Sequence, residues 1–266
     1  MTQQTERFPL SLAAWSMHRM FFNREVDQLG MVGLCADLGL SGFEMVNTFF
    51  PSPQYLYLRR LRSEAEERGV SLLLIMCDLE GDMAATDRGE RLQAAVNHRK
   101  WVDIAAVLGC HSIRCNVRGD ESDPAAMRER AAESFRALLE YAASSGIRIL
   151  IENHGGLSSD PDWLVSLVEL VGDPRLGTLP DFGNFPKGTD RYRAVEKMMP
   201  HAGAVSAKCY DFGPDGNETT IDFARMMKIV RAAGYSGYVG IEYDGTRMPE
   251  REAVLAAKGL LERLLR

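Results

Sequence analysis

Three acidic residues stand at the ends of aliphatic stretches that are typical of buried strands. Glu152 follows "RILI", Asp181 follows "LGTLP" and Glu242 follows "YVGI". Carboxylates brought together in this way repel one another unless they are protonated, paired with cations or bound to a metal. Taken one at a time, an ion pair with Arg114 or Lys208 explains each of them as well as a metal does. All three at equivalent positions favour a shared divalent cation, because hard cations prefer oxygen ligands.

The elements that must bring these residues together recur along the chain as an amphipathic helix, a glycine and a short aliphatic strand. The glycines that mark the predicted helix ends stand at 39, 69, 109, 146, 172, 203 and 234, at intervals of 26 to 40 residues. Each interval is long enough for one βα unit, and a glycine suits the left-handed position that ends a helix. Together with the opening "FPLSLAAWS", the pattern predicts eight strands at approximately 10–16, 42–46, 71–77, 112–116, 148–153, 176–181, 204–208 and 238–243.

This alternation predicts a (β/α)8 TIM barrel, an α/β fold, formed as a single domain by residues 1–266. Near-continuous aliphatic strands separated by helices are typical of parallel sheets, and eight such units in about 250 residues match the barrel. A doubly wound sheet is the rival architecture, but no glycine-rich phosphate turn follows the first strand. Barrel enzymes carry their chemistry at the C-terminal ends of the strands. We therefore expect the three carboxylates to meet at one mouth of the barrel.

Composition and charge exclude several classes of partner. The 266 residues are 45% hydrophobic, carry a formal net charge of -6 and include no run of Lys and Arg. Nucleic acids and anionic membranes are usually met by a basic patch, so neither is expected as a partner. The longest aliphatic stretch, "LLLIM", is too short to span a bilayer, and the N-terminus lacks the apolar stretch of a signal peptide. Five cysteines without a CxxC pair predict reduced, mostly buried thiols in a cytoplasmic protein.

Other residues near the strand ends are candidates for substrate binding. Arg114, on the fourth strand, either binds a substrate oxygen or neutralises the carboxylates, and we favour the second explanation. Trp15 either stacks against a ring of the substrate or belongs to the core. His18 either lines the pocket or only satisfies local hydrogen bonds.

An ordered set of motifs, one per strand, resembles the sugar phosphate isomerase/epimerase group of xylose isomerase-like TIM barrels. On the second strand and on the fifth to the eighth, the motifs are "GLSGFEMV", "IENHGG", "DFGN", "VSAKCYD" and "GIEYDG". The resemblance covers essentially the whole chain. It implies that Glu152, Asp181 and Glu242 bind a divalent metal, usually manganese or magnesium and sometimes cobalt, zinc or iron. It further implies that Glu152 and Glu242 serve as the acid/base pair.

The same resemblance implies substrate contacts and one departure from the family. His154 and Asn184 fall where relatives hold substrate hydroxyls, and Lys208 matches the lysine that usually ends the motif of the seventh strand. Where relatives usually place a histidine or glutamine as fourth metal ligand, this chain has Ser206. A serine hydroxyl is a weak ligand, so either a water fills the position or the metal binds poorly. Since relatives are often dimers or tetramers, the resemblance also implies a homo-oligomer.

These observations predict a divalent-metal-dependent sugar isomerase or epimerase that acts on a small sugar or keto-sugar. It would transfer a proton next to a carbonyl through an enediolate, with the metal as Lewis acid and carboxylates as proton carriers. A lyase or hydrolase that cleaves a keto-glycoside by enolisation and elimination is the first alternative, and the altered seventh strand supports it. A non-catalytic carbohydrate-binding barrel is the second, and retention of all three carboxylates argues against it.

Overall fold

The computed structural model describes residues 8–265, whose eight strands form one parallel sheet. The strands are β1 (Leu10–Ala13), β2 (Gly42–Val46), β3 (Ser71–Cys77), β4 (Ser112–Cys115), β5 (Arg148–Glu152), β6 (Leu176–Leu179), β7 (Val205–Cys209) and β8 (Val239–Tyr243). Their order in the sheet is β6-β5-β4-β3-β2-β1-β8-β7. The ring closes between β6 and β7, where Gly203 N donates to Thr178 O at 2.9 Å and Ser206 N donates to Pro180 O at 3.0 Å. The predicted α/β barrel is confirmed.

Helices connect successive strands on the outside of the barrel. Within residues 8–265 they are α1 (His18–Phe22), α2 (Gln28–Asp37), α3 (Tyr55–Arg68), α4 (Arg88–Leu108), α5 (Pro124–Ala142), α6 (Pro161–Val171), α7 (Arg191–Met198), α8 (Phe223–Ala232) and α9 (Glu250–Leu264). Six of them begin at an aspartate whose carboxylate accepts a hydrogen bond from an N–H of the first turn. Such a cap satisfies a backbone donor that the helix itself leaves unpaired.

The glycines that the sequence places at helix ends have two different roles. Gly69 and Gly109 end α3 and α4 in the left-handed conformation, with φ of 66° and 79°, as predicted. The prediction is wrong for Gly203, whose φ is not positive. A Cβ at this position would lie 2.5 Å from Leu150 Cδ2. Gly203 is therefore required by close packing against β5, and not by the geometry of a helix end.

Two strands are shorter than the sequence predicts by more than one residue. The apolar pattern of residues 10–16 continues through a 3-10 turn over Ala14–Met17, so that β1 ends at Ala13. β6 ends at Leu179 because Pro180 has no N–H to continue the ladder. The next residue, Asp181, still makes an isolated parallel bridge with Ser206. Because β6 ends early, Asp181 lies just after the strand, at the rim of the barrel.

The barrel interior contains one unexpected carboxyl group. Glu44 lies in the middle of β2 and is 2% exposed. Its Oε1 accepts a hydrogen bond from Ser11 Oγ at 2.6 Å. A Cβ on Gly240 would lie 2.3 Å from the same oxygen, so glycine at that position of β8 makes room for the carboxyl group. The five cysteines are free and buried. Among the described residues, no helix is both long and apolar enough to cross a membrane.

Candidate metal and substrate site

Three carboxylates from different strands meet in the barrel, as the sequence predicts. Glu152 ends β5, Asp181 follows β6 and Glu242 lies on β8. Each offers one oxygen atom, and these three atoms all lie within 4.8 Å of one another. The three residues are 1%, 0% and 5% exposed. Residues that are up to 90 positions apart in sequence therefore form one buried acidic cluster.

Asn153 holds Asp181 in place where β6 has ended. The Asn153 side chain accepts a hydrogen bond from Asp181 N at 2.8 Å and donates one to Asp181 O at 3.0 Å. These two bonds replace the ladder that Pro180 interrupts. The Asp181 Oδ1 atom accepts from Gly183 N and Asn184 N, both at 2.7 Å. The carboxylate is thus fixed by the "DFGN" turn, and its Oδ2 atom points to Ser206 at 2.8 Å.

Glu152 lies between an arginine and an amide. Asn184 Nδ2 donates to Glu152 Oε1 at 3.0 Å. Arg114 Nε lies 2.8 Å from Glu152 Oε2, and Arg114 Nη1 donates to Asp78 Oδ1 at 2.8 Å. The Nε–H does not point at Glu152, since both Arg114 Nε and Glu152 Oε2 are buried without a hydrogen-bond partner among the described residues. The contact is therefore an ion pair that leaves a lone pair of Glu152 Oε2 available.

Glu242 has the closest cationic partner of the three. Lys208 Nζ donates to Glu242 Oε1 at 2.6 Å. Ser206 Oγ lies 2.9 Å from Glu242 Oε2 and 2.8 Å from Asp181 Oδ2. A hydroxyl group has one proton and can donate it to only one of these oxygens. The other short contact is satisfied by a proton on one of the two carboxyls, or by a cation shared with them.

The electrostatics of the cluster favour the same conclusion. Burial raises the pKa of Glu152 to about 7 against the opposing charge of Arg114, and Glu242 adds to the rise. Burial also raises the pKa of Asp181 to about 7, against the attraction of Lys208. Burial acts in the same direction on Glu242, but Lys208, Ser206 and Arg114 together outweigh it and the pKa of Glu242 is lowered. Two of the three carboxyls therefore titrate near neutral pH, and a bound cation would favour their ionised forms.

A divalent metal fits this set of donors. Three carboxylate oxygens within 4.8 Å of one another can share one ion, and Glu152 Oε2 has a free lone pair. All three ligands are hard oxygen donors, which suit manganese and magnesium better than softer metals. The hydroxyl of Ser206 lies beside two of them. A buried acidic triad of this kind could bind a metal, while Arg114 and Lys208 offset part of its negative charge.

A cavity of about 290 Å³ opens over the cluster at the carboxyl ends of the strands. Six of the predicted site residues line it, and they are Trp15, Arg114, His154, Asn184, Lys208 and Glu242. Burial lowers the pKa of His154, with Arg114 acting in the same direction, so its imidazole is neutral at pH 7. The Nδ1 atom of His154 and the Oδ1 atom of Asn116, also in the wall, are buried without a partner among the described residues.

His18 is the predicted substrate-binding residue that the structure does not bring to the cavity wall described above. Its ring stacks on Trp15, with centroids 5.0 Å apart. Its Nδ1 atom lies 2.8 Å from Trp15 O and 3.4 Å from Glu250 Oε1. Trp15 is fixed on its other side by Phe49, with centroids 6.0 Å apart, and its Nε1 donates to Asp244 Oδ1 at 3.0 Å. His18 thus supports the tryptophan that faces the cavity.

Seven residues of the wall are not among the predicted site residues, and Leu79, Arg118 and Asp244 are three of them. The position of Asp244 could have been predicted from the sequence, because it follows Glu242 by two residues and side chains two apart along a strand share a face. Its Oδ2 lies 3.8 Å from Lys208 Nζ. Leu79 and Arg118 belong to loops after β3 and β4, where no periodicity indicates the direction of a side chain.

Solved structures with the same fold include two sugar epimerases and a magnesium complex. D-psicose 3-epimerase from Clostridium cellulolyticum H10, solved with D-tagatose, is 16% identical, with a TM-score of 0.78 over 97% of this chain and 99% of that chain. The 3-keto-D-glucoside 4-epimerase of E. coli is 16% identical, with a TM-score of 0.75 over 89% and 94%. A xylose isomerase-like TIM barrel protein from Mycobacterium smegmatis, in complex with magnesium, is 17% identical, with a TM-score of 0.70 over 100% of both chains.

At these identities the structural similarity shows the fold alone, and no curated protein matches the sequence. The family model described as "Xylose isomerase-like TIM barrel" matches residues 32–264. This range includes all three carboxylates and seven of the eight strands. The chain belongs to the xylose isomerase-like TIM barrel family.

Proposed function

We propose that the protein is a divalent-metal-dependent isomerase or epimerase of a sugar or keto-sugar, which moves a proton next to a carbonyl through an enediolate. The observation that carries the proposal is the convergence of Glu152, Asp181 and Glu242 in one buried cluster beneath a cavity. The printed activities of two neighbours, a psicose 3-epimerase and a keto-glucoside 4-epimerase, support the sugar class. The magnesium bound by a third neighbour supports the metal.

Glu152, Asp181 and Glu242 would hold the metal, which when bound supplies Lewis-acid stabilisation of negative charge on the substrate oxygens. Asp181 serves only as a ligand in this proposal, because its two oxygens are already held by the turn and by Ser206. Glu152 and Glu242 have a second role as proton carriers. They enter the site from β5 and β8, so that they can face opposite sides of a substrate bound between them.

Two buried cations set the charge of the proton carriers. Lys208 stabilises the ionised form of Glu242, which therefore starts as a base. Arg114 bridges Glu152 and Asp78, so that it neutralises the cluster and also fixes the position of Glu152. General acid/base catalysis by carboxyls positioned in this way contributes roughly 10²–10⁴-fold to the rate.

Polar atoms in the cavity wall that lack partners would bind the substrate hydroxyls. His154 Nδ1 and Asn116 Oδ1 are buried and unpaired among the described residues. Because the imidazole of His154 is neutral at pH 7, it can donate from one ring nitrogen and accept at the other. The Asn184 amide, which already donates to Glu152, couples the position of the substrate to that of the proton carrier.

Proton exchange with solvent tests this function directly. We expect the manganese- or magnesium-loaded protein to introduce deuterium from D2O into an intact ketose or keto-glycoside, as followed by NMR. Glu152→Gln should abolish the exchange without unfolding the protein. Glu44→Gln is the matched control, because it changes another buried carboxyl of the barrel that lies outside the triad.

The same experiment separates the alternative reactions. Release of an aglycone from a keto-glycoside would assign the site to elimination. Binding of metal and sugar without exchange or cleavage would assign it to a binding protein. A Glu152→Gln variant with the exchange rate of the wild type would refute the role given to Glu152.

A further inference from the structure

The mouth of the cavity carries an exposed leucine in a strained conformation. Leu79 is 94% exposed and lines the cavity. Its φ is 61°, and Arg24 is the one other non-glycine residue with positive φ in the described part of the chain. Side chains disfavour this left-handed region because Cβ approaches the backbone too closely. A surface turn would avoid both the strain and the exposure with a glycine or an asparagine at this position.

The neighbours of Leu79 hold it in this conformation. Asn47 accepts a hydrogen bond from Asp78 N and donates one to Asp78 O, both at 2.8 Å. On the other side, Glu80 Oε2 pairs with Lys100 Nζ at 2.9 Å, and Glu80 O accepts from Asn97 Nδ2 at 3.0 Å. Hydrogen bonds and an ion pair therefore fix the turn on both sides of the leucine. Strained residues held in this way are concentrated where a protein contacts a ligand.

The cavity wall includes four apolar side chains from three neighbouring strands. Trp15, Val46, Met76 and Leu79 come from β1, β2 and β3 or the segments that follow them. The polar side chains of the wall include His154, Asn184 and Lys208 from the region of β5 to β8. Arg114, Asn116 and Arg118 come from β4 and the loop after it, and Asp78 directly precedes Leu79. A C–H face of a free sugar can stack on Trp15, but Leu79 at the mouth of the cavity then stays exposed. A sugar that carries an apolar group can contact the polar and the apolar side chains together.

We infer that Leu79, together with Trp15, Val46 and Met76, forms a subsite for an apolar substituent attached to the sugar. The substrate class is then a glycoside with an apolar aglycone, and not a free sugar or a sugar phosphate. This inference rests on the proposed function for the sugar end of the ligand. It assigns to Leu79 a contact that explains both its exposure and its strained backbone, since an aglycone at the mouth covers the side chain.

Binding of unreactive ligands tests the subsite without requiring turnover. The probes are phenyl and methyl glycosides of glucose and galactose in both anomers, titrated by calorimetry into the manganese-loaded protein. We expect at least one phenyl glycoside to bind more tightly than its methyl counterpart. Leu79→Ala should weaken binding of that phenyl glycoside by about tenfold, because roughly three methylene-sized groups lose one-sided apolar contact. It should leave the affinity of the methyl glycoside unchanged.

Leu56→Ala is the matched control, because Leu56 is a second exposed leucine, 76% accessible, on α3 and outside the cavity wall. It should change neither affinity. Equal affinities for phenyl and methyl members of every pair, no binding of any phenyl glycoside, or tighter binding of a sugar phosphate would overturn the inference. So would a Leu79→Ala variant that changes the oligomeric state, measured by sedimentation, and leaves glycoside binding intact. Failure of the proton exchange alone would refute the proposed function and leave the binding result standing.

Discussion

Glu44 provides a test of the barrel electrostatics that is independent of any substrate. Its carboxyl is buried inside the barrel with one hydrogen bond, from Ser11, and its Oε2 has no partner among the described residues. Burial raises the pKa of Glu44 to about 8; the Ser11 bond opposes this rise, and the charges of Glu242 and Glu152 add to it. The substitution Glu44→Gln replaces the carboxyl by a neutral group of nearly the same shape.

The expected effect follows from the two pKa values. Between pH 4.5 and 8 the folded protein keeps the Glu44 proton and the unfolded chain releases it. The folded state is therefore destabilised as the pH rises through this window, and the cost is complete above pH 8. A shift from 4.5 to about 8 corresponds to about 5 kcal/mol. Between pH 5 and pH 9 this cost grows by about 4 kcal/mol, and Glu44→Gln does not incur it.

Urea unfolding of the wild type and of Glu44→Gln at pH 5 and pH 9 measures this difference. We expect similar stabilities at pH 5 and a variant more stable by several kcal/mol at pH 9. Titrating groups that do not interact with Glu44 are common to both proteins and cancel in the comparison. Glu67→Gln, at an exposed position of α3, is the matched control and should show no pH-dependent difference. A difference between wild type and Glu44→Gln that stays constant with pH would refute the reasoning.

Two further predictions concern the buried ion pair and the strained leucine. Lys208→Met removes the cation at 2.6 Å from Glu242. The metal-free protein should therefore lose about 3–5 kcal/mol of stability, and the affinity for manganese should rise. Unfolding in EDTA and manganese titration measure the two effects, and unchanged stability would contradict this prediction. Leu79→Gly relieves the positive φ without removing a buried contact, so we expect the free energy of unfolding to stay equal or rise by about 1 kcal/mol while phenyl glycoside binding weakens. A clear loss of stability in Leu79→Gly would show that the leucine has a structural role.

Much of the fold could be predicted from the sequence because the pattern of helix, glycine and strand repeats along the chain. The bounds of β2 and β3 agree with the prediction, since polar residues or glycines flank both stretches. β1 was predicted too long because "AWSM" continues the apolar pattern into a 3-10 turn, which hydrophobicity alone does not distinguish from a strand. β6 was also predicted too long, although Pro180 marks its end.

The candidate site was predictable where the barrel topology determines it. Parallel strands bring Glu152, Asp181 and Glu242 to one end of the barrel, independently of the conformation of the loops. The depth of Glu44 was not predictable, because it depends on the stagger between strands. The shared contacts of Ser206 and the strained turn at Leu79 depend on tertiary hydrogen bonds, which leave no periodic signal in the sequence.

Metal stoichiometry tests the central claim most directly. Protein purified without chelator, stripped with EDTA and titrated with manganese, should bind one ion per chain. Asp181→Asn should lose this ion and keep the circular dichroism spectrum of the wild type, because Asp181 is assigned only a ligand role. A wild-type chain that binds no manganese, or an Asp181→Asn variant that binds it with unchanged affinity, would contradict the account.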